Sequence, residues 1–253
     1  MMGYLKLRRS QLILASFLVF SLILAAFPGI DLSISKLFFD GKSFQHNQVH
    51  DFLHGSMGVF LVASIGSVLA LCIFNRFANQ RVCNVCMKRV LYLFLVLVIG
   101  AGLIVNVLLK DNFGRARPRD VTQFGGLMHF TPPFVMSNEC NRNCSFASGE
   151  AAGGFFSLAL ALALSRRRRA YVAALAVGAV FSWSRISQGA HFFSDTVVSF
   201  FVMLICADVF RYYLLLRPSE GLSMNRASPA LQPAFSLAAA AEPSPPRKIG
   251  AAG

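Results

Sequence analysis

The sequence predicts an all-α integral membrane protein with six transmembrane helices. Three observations support this: few charges, long apolar segments and a one-sided distribution of basic residues. Hydrophobic residues make up 55% of the 253 residues and charged residues only 14%, whereas a soluble domain carries roughly 25% charged residues. The mean hydropathy is +0.58. We therefore expect much of the surface to face lipid.

Six apolar segments are the expected transmembrane helices, because a helix that crosses a bilayer needs about 20 mostly apolar residues. They are residues 11–27, 52–74, 90–109, 150–165, 170–183 and 192–216. The fourth is short and spans only if its helix begins inside the polar stretch before it. The first could also belong to a signal peptide, but its apolar core is long for one, so we expect a retained helix. A polar segment to Asp51 follows it.

The basic residues indicate the orientation of the chain. Six helices place both termini on one side, and that side carries twice as many Lys and Arg residues as the other. Because cytoplasmic loops are enriched in Lys and Arg, we expect both termini in the cytoplasm and the opposite face in the periplasm of a bacterial inner membrane. Residues 1–217 then form the membrane domain, and the Ala/Pro/Ser-rich residues 218–253 are expected to be a disordered cytoplasmic tail.

Nucleic acid is not an expected partner, although the net charge is +13. The basic residues are dispersed between apolar spans, whereas a single-strand binder interleaves them with aromatic residues on a polar surface.

Three polar segments fall on the predicted periplasmic face and carry unusual residues. They are KDNFGRARP (110–118), CSFASGEAA (144–152) and SRISQGAHFFSD (184–195). Helix parity alone brings them to the same side of the membrane, so a single site could use all three.

Five residues in these segments fit a phosphate-binding site. Arginine presents a planar fork of donors that matches phosphate oxygens, and lysine adds a compact positive charge. A helix start exposes unpaired backbone N–H groups that favour an anion. The candidates are the cations Lys110, Arg117 and Arg185, and the pair Ser148 and Gly149 before the fourth helix.

A histidine and an aspartate in the third segment fit a nucleophile and its support. His191 and Asp195 are four residues apart, which places them on one helical face, where the carboxylate could orient the imidazole and stabilise its positive charge. Each feature alone has an ordinary explanation. Arginines near membrane helices contact headgroups, a Ser-Gly pair caps a helix, and a lone histidine forms structural hydrogen bonds. Their joint occurrence favours a site.

The three segments resemble the type 2 phosphatidic acid phosphatase (PAP2) superfamily, whose motifs are K-x6-R-P, P-S-G-H and S-R-x5-H-x3-D in this order. The first is matched by Lys110, Arg117 and Pro118, and the third by Ser184, Arg185, His191 and Asp195. The middle motif departs from the pattern. It reads Ala147-Ser148-Gly149-Glu150, without the proline and the histidine.

The resemblance implies a PAP2-like helical bundle and a phosphohistidine mechanism. His191 would attack phosphorus while Asp195 steadies its ring, and the predicted phosphate-binding groups would stabilise the transition state. Glu150 stands where the family has the histidine that protonates the leaving group. It could do the same only if it holds a proton, and neighbouring cations oppose that. No metal and no cofactor is expected.

The segment CNRNCSFASGEAA also resembles bacterial lipid A phosphatases, the 4′-phosphatase branch in particular, so the expected substrate is a membrane lipid with a phosphorylated headgroup. Undecaprenyl pyrophosphate, phosphatidic acid and phosphatidylglycerophosphate stay open as substrates, and so does transfer of phosphate to an alcohol. The non-enzymatic alternative is a transporter or an assembly subunit. A transporter is expected to carry charges near the bilayer midplane, whereas here they stand at helix ends.

The cysteines leave one question open. Cys140 and Cys144 lie in a periplasmic loop, where they either form a disulfide or stay reduced. Cys83 and Cys86 form a single CxxC on the cytoplasmic side, which is a weak indication of zinc or redox chemistry.

Overall fold

The computed structural model describes residues 2–79, 82 and 85–216, and side chains from residue 9 onward. The predicted tail, 218–253, and Cys83 lie outside the described residues. The described chain forms seven α-helices, two of which continue as π-helices. They are α1 (Met2–Ala26), α2 (Gly29–Lys36), α3 (Gln48–Phe77), α4 (Met87–Leu95, continuing over Val96–Leu109), α5 (Gly149–Leu164), α6 (Arg168–Ser187) and α7 (Phe193–Arg211, continuing over Tyr212–Leu216).

Five of these helices are long and apolar enough to cross a membrane, which confirms the predicted all-α membrane fold. They are α1, α3, α4 with its π-helical continuation, α6 and α7. The predicted fourth span, α5, is too short, with 16 residues. Ser148 caps it, so the helix does not begin earlier in the polar stretch. At 1.5 Å per residue it is about 24 Å long, against a hydrocarbon core of about 30 Å. The sixth crossing therefore stays a prediction.

The polar segment predicted between the first two spans contains the short helix α2. The prediction missed it because eight residues are too few to show helical periodicity. Asp31 and Ser35 are its buried residues, so one face of α2 packs into the protein.

Helix α5 lies at the centre of the bundle. Twelve of its 16 residues are buried, most of them Ala, Gly and Phe, whereas few residues of the apolar stretches of α1 and α3 are buried, which fits a lipid environment. The Cβ of an alanine at Gly154 would lie 3.2 Å from the Cα of Gly178 on α6. Glycines at such contacts let two membrane helices approach closely.

Gly178→Ala is expected to destabilise the bundle, because the added methyl group would overlap the ring of Phe155. Overpacking of this kind costs about 1–3 kcal/mol, so the midpoint of thermal unfolding in detergent should fall. Gly66→Ala on α3 is the matched control, because a methyl group there meets no atom within 4 Å. Equal midpoints for the two variants would contradict the close α5–α6 contact.

Candidate active site

The three predicted segments meet at an open pocket of about 760 Å³. The end of the π-helix of α4, the start of α5 and the end of α6 each contribute to its wall. Of the predicted site residues, the pocket is lined by Lys110, Arg117, Glu150, Arg185 and His191. Ser148, Gly149 and Asp195 are not among its lining residues and lie behind the wall.

The guanidinium of Arg117 is held against the loop that precedes α5. Its Nη2 donates to the carbonyl of Asn143 at 2.7 Å and its Nε at 3.3 Å. Asn143 lies inside the loop closed by a disulfide between Cys140 and Cys144, whose Cα atoms are 5.6 Å apart. The sequence left the formation of this disulfide undecided. In the structure it closes the loop whose Asn143 carbonyl orients Arg117, a predicted phosphate-binding residue.

The pocket carries excess positive charge. Burial lowers the pKa of Lys110, and the neighbouring Arg117 and Arg185 add to the effect. Burial also lowers the pKa of Arg117, with Arg119 and Arg185 contributing. Both pKa shifts arise because the cations are partly removed from water and lie close to one another. A bound anion with several oxygen atoms would offset the lost hydration and the mutual repulsion of these cations.

Ser148 starts helix α5 behind the pocket. Its backbone is extended, its Oγ accepts from the N–H of Ala151 at 3.3 Å, and the residue is fully buried. The side chain is thus a helix cap. Gly149 packs against the side chain of Asn106 from the π-helix, where a Cβ would collide. Their predicted role in binding phosphate, through backbone N–H groups, stays a prediction.

His191 is buried, and its hydrogen bond fixes its tautomer. Nδ1 lies 2.7 Å from the carbonyl oxygen of Ser145. Because a carbonyl only accepts, Nδ1 carries the proton and Nε2 keeps its lone pair. Gly189, at φ +62° and packed on the ring of Phe44, makes the turn between α6 and this histidine.

Asp195 supports the histidine less directly than the sequence predicts. Its Oδ2 lies 3.7 Å from His191 Nδ1, beyond hydrogen-bond distance. The same oxygen accepts from Ser145 Oγ at 2.5 Å and from the N–H of Phe192 at 2.9 Å. Asp195 therefore caps the start of α7 and holds Ser145, and the carbonyl of Ser145 holds the imidazole.

Burial makes His191 a neutral base. It lowers the pKa of the imidazole to about 4, and Arg117 and Lys110 add to the lowering. The contact with Asp195 opposes the shift without cancelling it. The ring is therefore uncharged at neutral pH, which is the form that can act as a nucleophile.

The sequence analysis missed a buried ion network behind Asp195. Arg115, only 1% exposed, donates from Nη1 to Asp195 Oδ1 at 2.6 Å and from Nη2 to Asp31 Oδ2 at 2.8 Å. Its Nη1 also reaches Ser194 Oγ at 2.8 Å, and its Nε reaches the Thr131 carbonyl at 2.8 Å. Burial raises the pKa of Asp31 while Arg115 opposes that shift. All three nitrogens of this guanidinium bond to buried partners, and Arg115 is not among the residues that line the pocket.

Two signals for this network were present in the sequence. Arg115 stands two residues before Arg117 in the first segment, and Asp31 is an isolated acid among apolar residues. Neither signal shows that the two residues pair with each other, because 83 residues separate them.

A second histidine, also missed, lies beside Glu150. His54 of α3 places Nδ1 2.7 Å from Glu150 Oε1, and Arg185 Nε lies 3.4 Å from the same oxygen. Glu150 Oε2 is buried without a hydrogen-bond partner in the described chain. Arg185 is fixed further by its bond from Nη1 to Gln188 Oε1 at 2.6 Å.

The fold and the pocket define a multi-pass membrane protein with a pocket lined by cations around a buried histidine. A model of the PAP2 superfamily matches residues 91–218. The chain is 34% identical to a protein named Lipid A 4′-phosphatase from Francisella tularensis subsp. novicida (strain U112), over 77% of this chain and 90% of that protein. It is 31% identical to one of the same name from Rhizobium leguminosarum, over 80% of this chain and 94% of that protein.

A third protein of that name, from Rhizobium etli, is 32% identical over 80% of this chain and 85% of its own length. No solved structure matches the chain significantly. The chain belongs to the PAP2 superfamily, which confirms the resemblance predicted from its motifs.

The protonation of His191 can be tested by ¹⁵N NMR of histidine-labelled protein in detergent, with His191→Gln to assign the signal. Because burial places its pKa at about 4, the signal should show the neutral, Nδ1-protonated ring between pH 7 and pH 5 and change only below that range. A titration midpoint near the ordinary value of about 6.5 would contradict the buried, neutral imidazole.

Proposed function

We propose that this protein is a lipid A 4′-phosphatase of the bacterial inner membrane, which hydrolyses a phosphate monoester through a phosphohistidine at the periplasmic face. One observation carries the proposal: His191 is buried with its lone pair on Nε2, in a pocket that also holds Lys110, Arg117 and Arg185. A neutral nitrogen nucleophile beside several fixed cations is suited to attack on a phosphate dianion.

The first half of the reaction transfers phosphorus to the enzyme. His191 Nε2 attacks phosphorus while the bond from phosphorus to the 4′-oxygen of the sugar breaks, and the electron pair leaves on that oxygen. The imidazole becomes positively charged, and the carbonyl of Ser145 and the carboxylate of Asp195 stabilise that charge. In the second half, water attacks the phosphohistidine and the electron pair of the P–N bond returns to Nε2.

The cations stabilise the charge on the transferred phosphoryl oxygens. Lys110, Arg117 and Arg185 come from three separate elements, so they can surround the phosphoryl group on several sides. The backbone N–H of Gly149, at the start of α5, is the remaining proposed donor, because helix starts favour anions. Such positioned charges account for most of the catalysis of phosphoryl transfer.

The leaving oxygen needs a proton donor, and the attacking water needs a base. Glu150, the residue that the sequence predicts for these steps, acts together with the imidazole of His54, which it contacts. It lies in the pocket wall between Arg185 and His54, at the position where the family motif has its second histidine.

The volume and the lining of the pocket suit a large headgroup. Besides the proposed phosphate ligands, the lining includes Phe39, Phe44 and Phe124, whose ring centroids are 5.1 to 5.3 Å apart. Aromatic faces beside polar groups suit the apolar faces of a sugar ring. The names of the three relatives also favour lipid A as the substrate.

The orientation is part of the proposal. Enrichment of Lys and Arg in the loops opposite the pocket favours both termini in the cytoplasm and the pocket in the periplasm. Lipid A built in the inner membrane would meet the pocket from the outer leaflet.

The purified protein is expected to release phosphate from lipid A and to leave a product that mass spectrometry identifies as lacking the 4′-phosphate. His191→Ala should reduce turnover by roughly 10³-fold or more, because it removes the nucleophile. His129→Gln is the matched control, since His129 is 81% exposed and pairs with Glu139 outside the pocket. Turnover of His191→Ala near the wild-type rate would contradict the scheme.

Parallel incubations with undecaprenyl pyrophosphate, phosphatidic acid and phosphatidylglycerophosphate test the substrate. Faster phosphate release from any of these than from lipid A would overturn the assignment of the headgroup while leaving the phosphatase chemistry in place.

A further inference from the structure

His54 lines the pocket and has no counterpart in the three family motifs. His54 comes from α3, and its imidazole is 66% exposed among the pocket-lining residues. Where the family motif has a histidine at the start of α5, this chain has Glu150, and Glu150 contacts the imidazole of His54. An imidazole is thus present at this end of the pocket, but it is supplied by another helix.

We propose that His54, and not Glu150, is the acid that protonates the leaving oxygen, and that Glu150 is the positioning residue that orients His54. This inference rests on the proposed phosphatase function and assigns one further catalytic residue to it.

The surroundings of Glu150 argue against its carrying the proton. Its Oε1 is engaged by His54 Nδ1 at 2.7 Å and lies 3.4 Å from Arg185 Nε. Its Oε2 is closed off from solvent. Neither oxygen therefore faces a substrate oxygen, and Glu150 acts as the hydrogen-bond acceptor of His54.

The surroundings of His54 fit the role of proton donor. Glu150 Oε1 accepts a hydrogen bond from Nδ1–H of His54, which fixes the ring and leaves Nε2 as the nitrogen available to a ligand. A carboxylate orients a proton-transferring imidazole in the same way in other carboxylate–histidine pairs. A sugar alkoxide is a poor leaving group, so a proton donor at this point accelerates its departure.

The proton balance closes over one turnover. As the bond between phosphorus and the sugar oxygen breaks, the proton on His54 Nε2 moves to that oxygen and the sugar leaves as an alcohol. The neutral His54 then takes a proton from water as the water oxygen attacks the phosphohistidine. The P–N bond breaks toward His191, inorganic phosphate leaves, and His54 is again protonated.

The discriminating experiment compares leaving groups. His54→Gln is expected to lower kcat on the lipid substrate by roughly 10²- to 10⁴-fold. It should leave the first-turnover release of nitrophenolate from 4-nitrophenyl phosphate within a few-fold of wild type, because nitrophenolate departs without a proton. This first release, measured before phosphohistidine is hydrolysed, also shows that the variant is folded. An equal loss of the first-turnover rate on both substrates, or no loss on the lipid, would overturn the inference.

Chemical rescue supplies a readout that needs only the lipid substrate. His54→Ala leaves space at an exposed position of the pocket, so added imidazole should restore at least part of its activity. It should restore none to His191→Ala, whose site is buried. A His54→Ala variant that is inactive and does not respond to imidazole would contradict the acid role.

The variant Glu150→Gln distinguishes the role of Glu150 from that of His54. If Glu150 only positions His54, the double variant Glu150→Gln/His54→Ala should need only slightly more imidazole for rescue than His54→Ala alone. If Glu150→Gln alone shows the leaving-group-selective loss and His54→Gln does not, Glu150 is the acid and the inference is wrong. A wild-type protein inactive on both substrates would instead overturn the proposed function.

Discussion

The site depends on one guanidinium buried between two carboxylates. Arg115 binds Asp195 at the start of α7 and Asp31 on α2, and its face packs on the ring of Phe192 at 4.3 Å. A buried ion pair adds little net stability, but loss of one partner typically costs about 3–5 kcal/mol because a charge is left unpaired. Here the ion network fixes the position of Asp195. Asp195 in turn binds Ser145, and the carbonyl of Ser145 sets the tautomer of His191.

His191 and His54 thus stand in different surroundings within one pocket. His191 is enclosed and its Nδ1 donates to a carbonyl, so burial keeps it neutral. His54 is open to the pocket, and its Nδ1 lies 2.7 Å from Glu150 Oε1. Under the role proposed for His54, an imidazole from α3 takes the place of the family histidine that Glu150 replaces.

Periodicity and motif spacing predicted the membrane bundle. They also predicted five of the residues that line the pocket: Lys110, Arg117, Glu150, Arg185 and His191. Local patterns could not give the rest. The contact of Glu150 with His54 joins residues 96 apart, and that of Arg115 with Asp31 joins residues 84 apart, so both require the tertiary fold. The helix α2 has only eight residues. The 3.7 Å gap between Asp195 and His191 depends on the loop carrying Ser145, whose path no spacing rule predicts.

The most direct test is an experimental structure of the protein with orthovanadate, which adopts the geometry of a phosphoryl group in transfer. We expect a bond from vanadium to His191 Nε2, with Lys110, Arg117 and Arg185 on the equatorial oxygens. We also expect His54 Nε2 within hydrogen-bond distance of the oxygen opposite that bond. Vanadium bound to another residue, or held away from His191 by the three cations alone, would contradict the central claim that this imidazole takes up phosphorus.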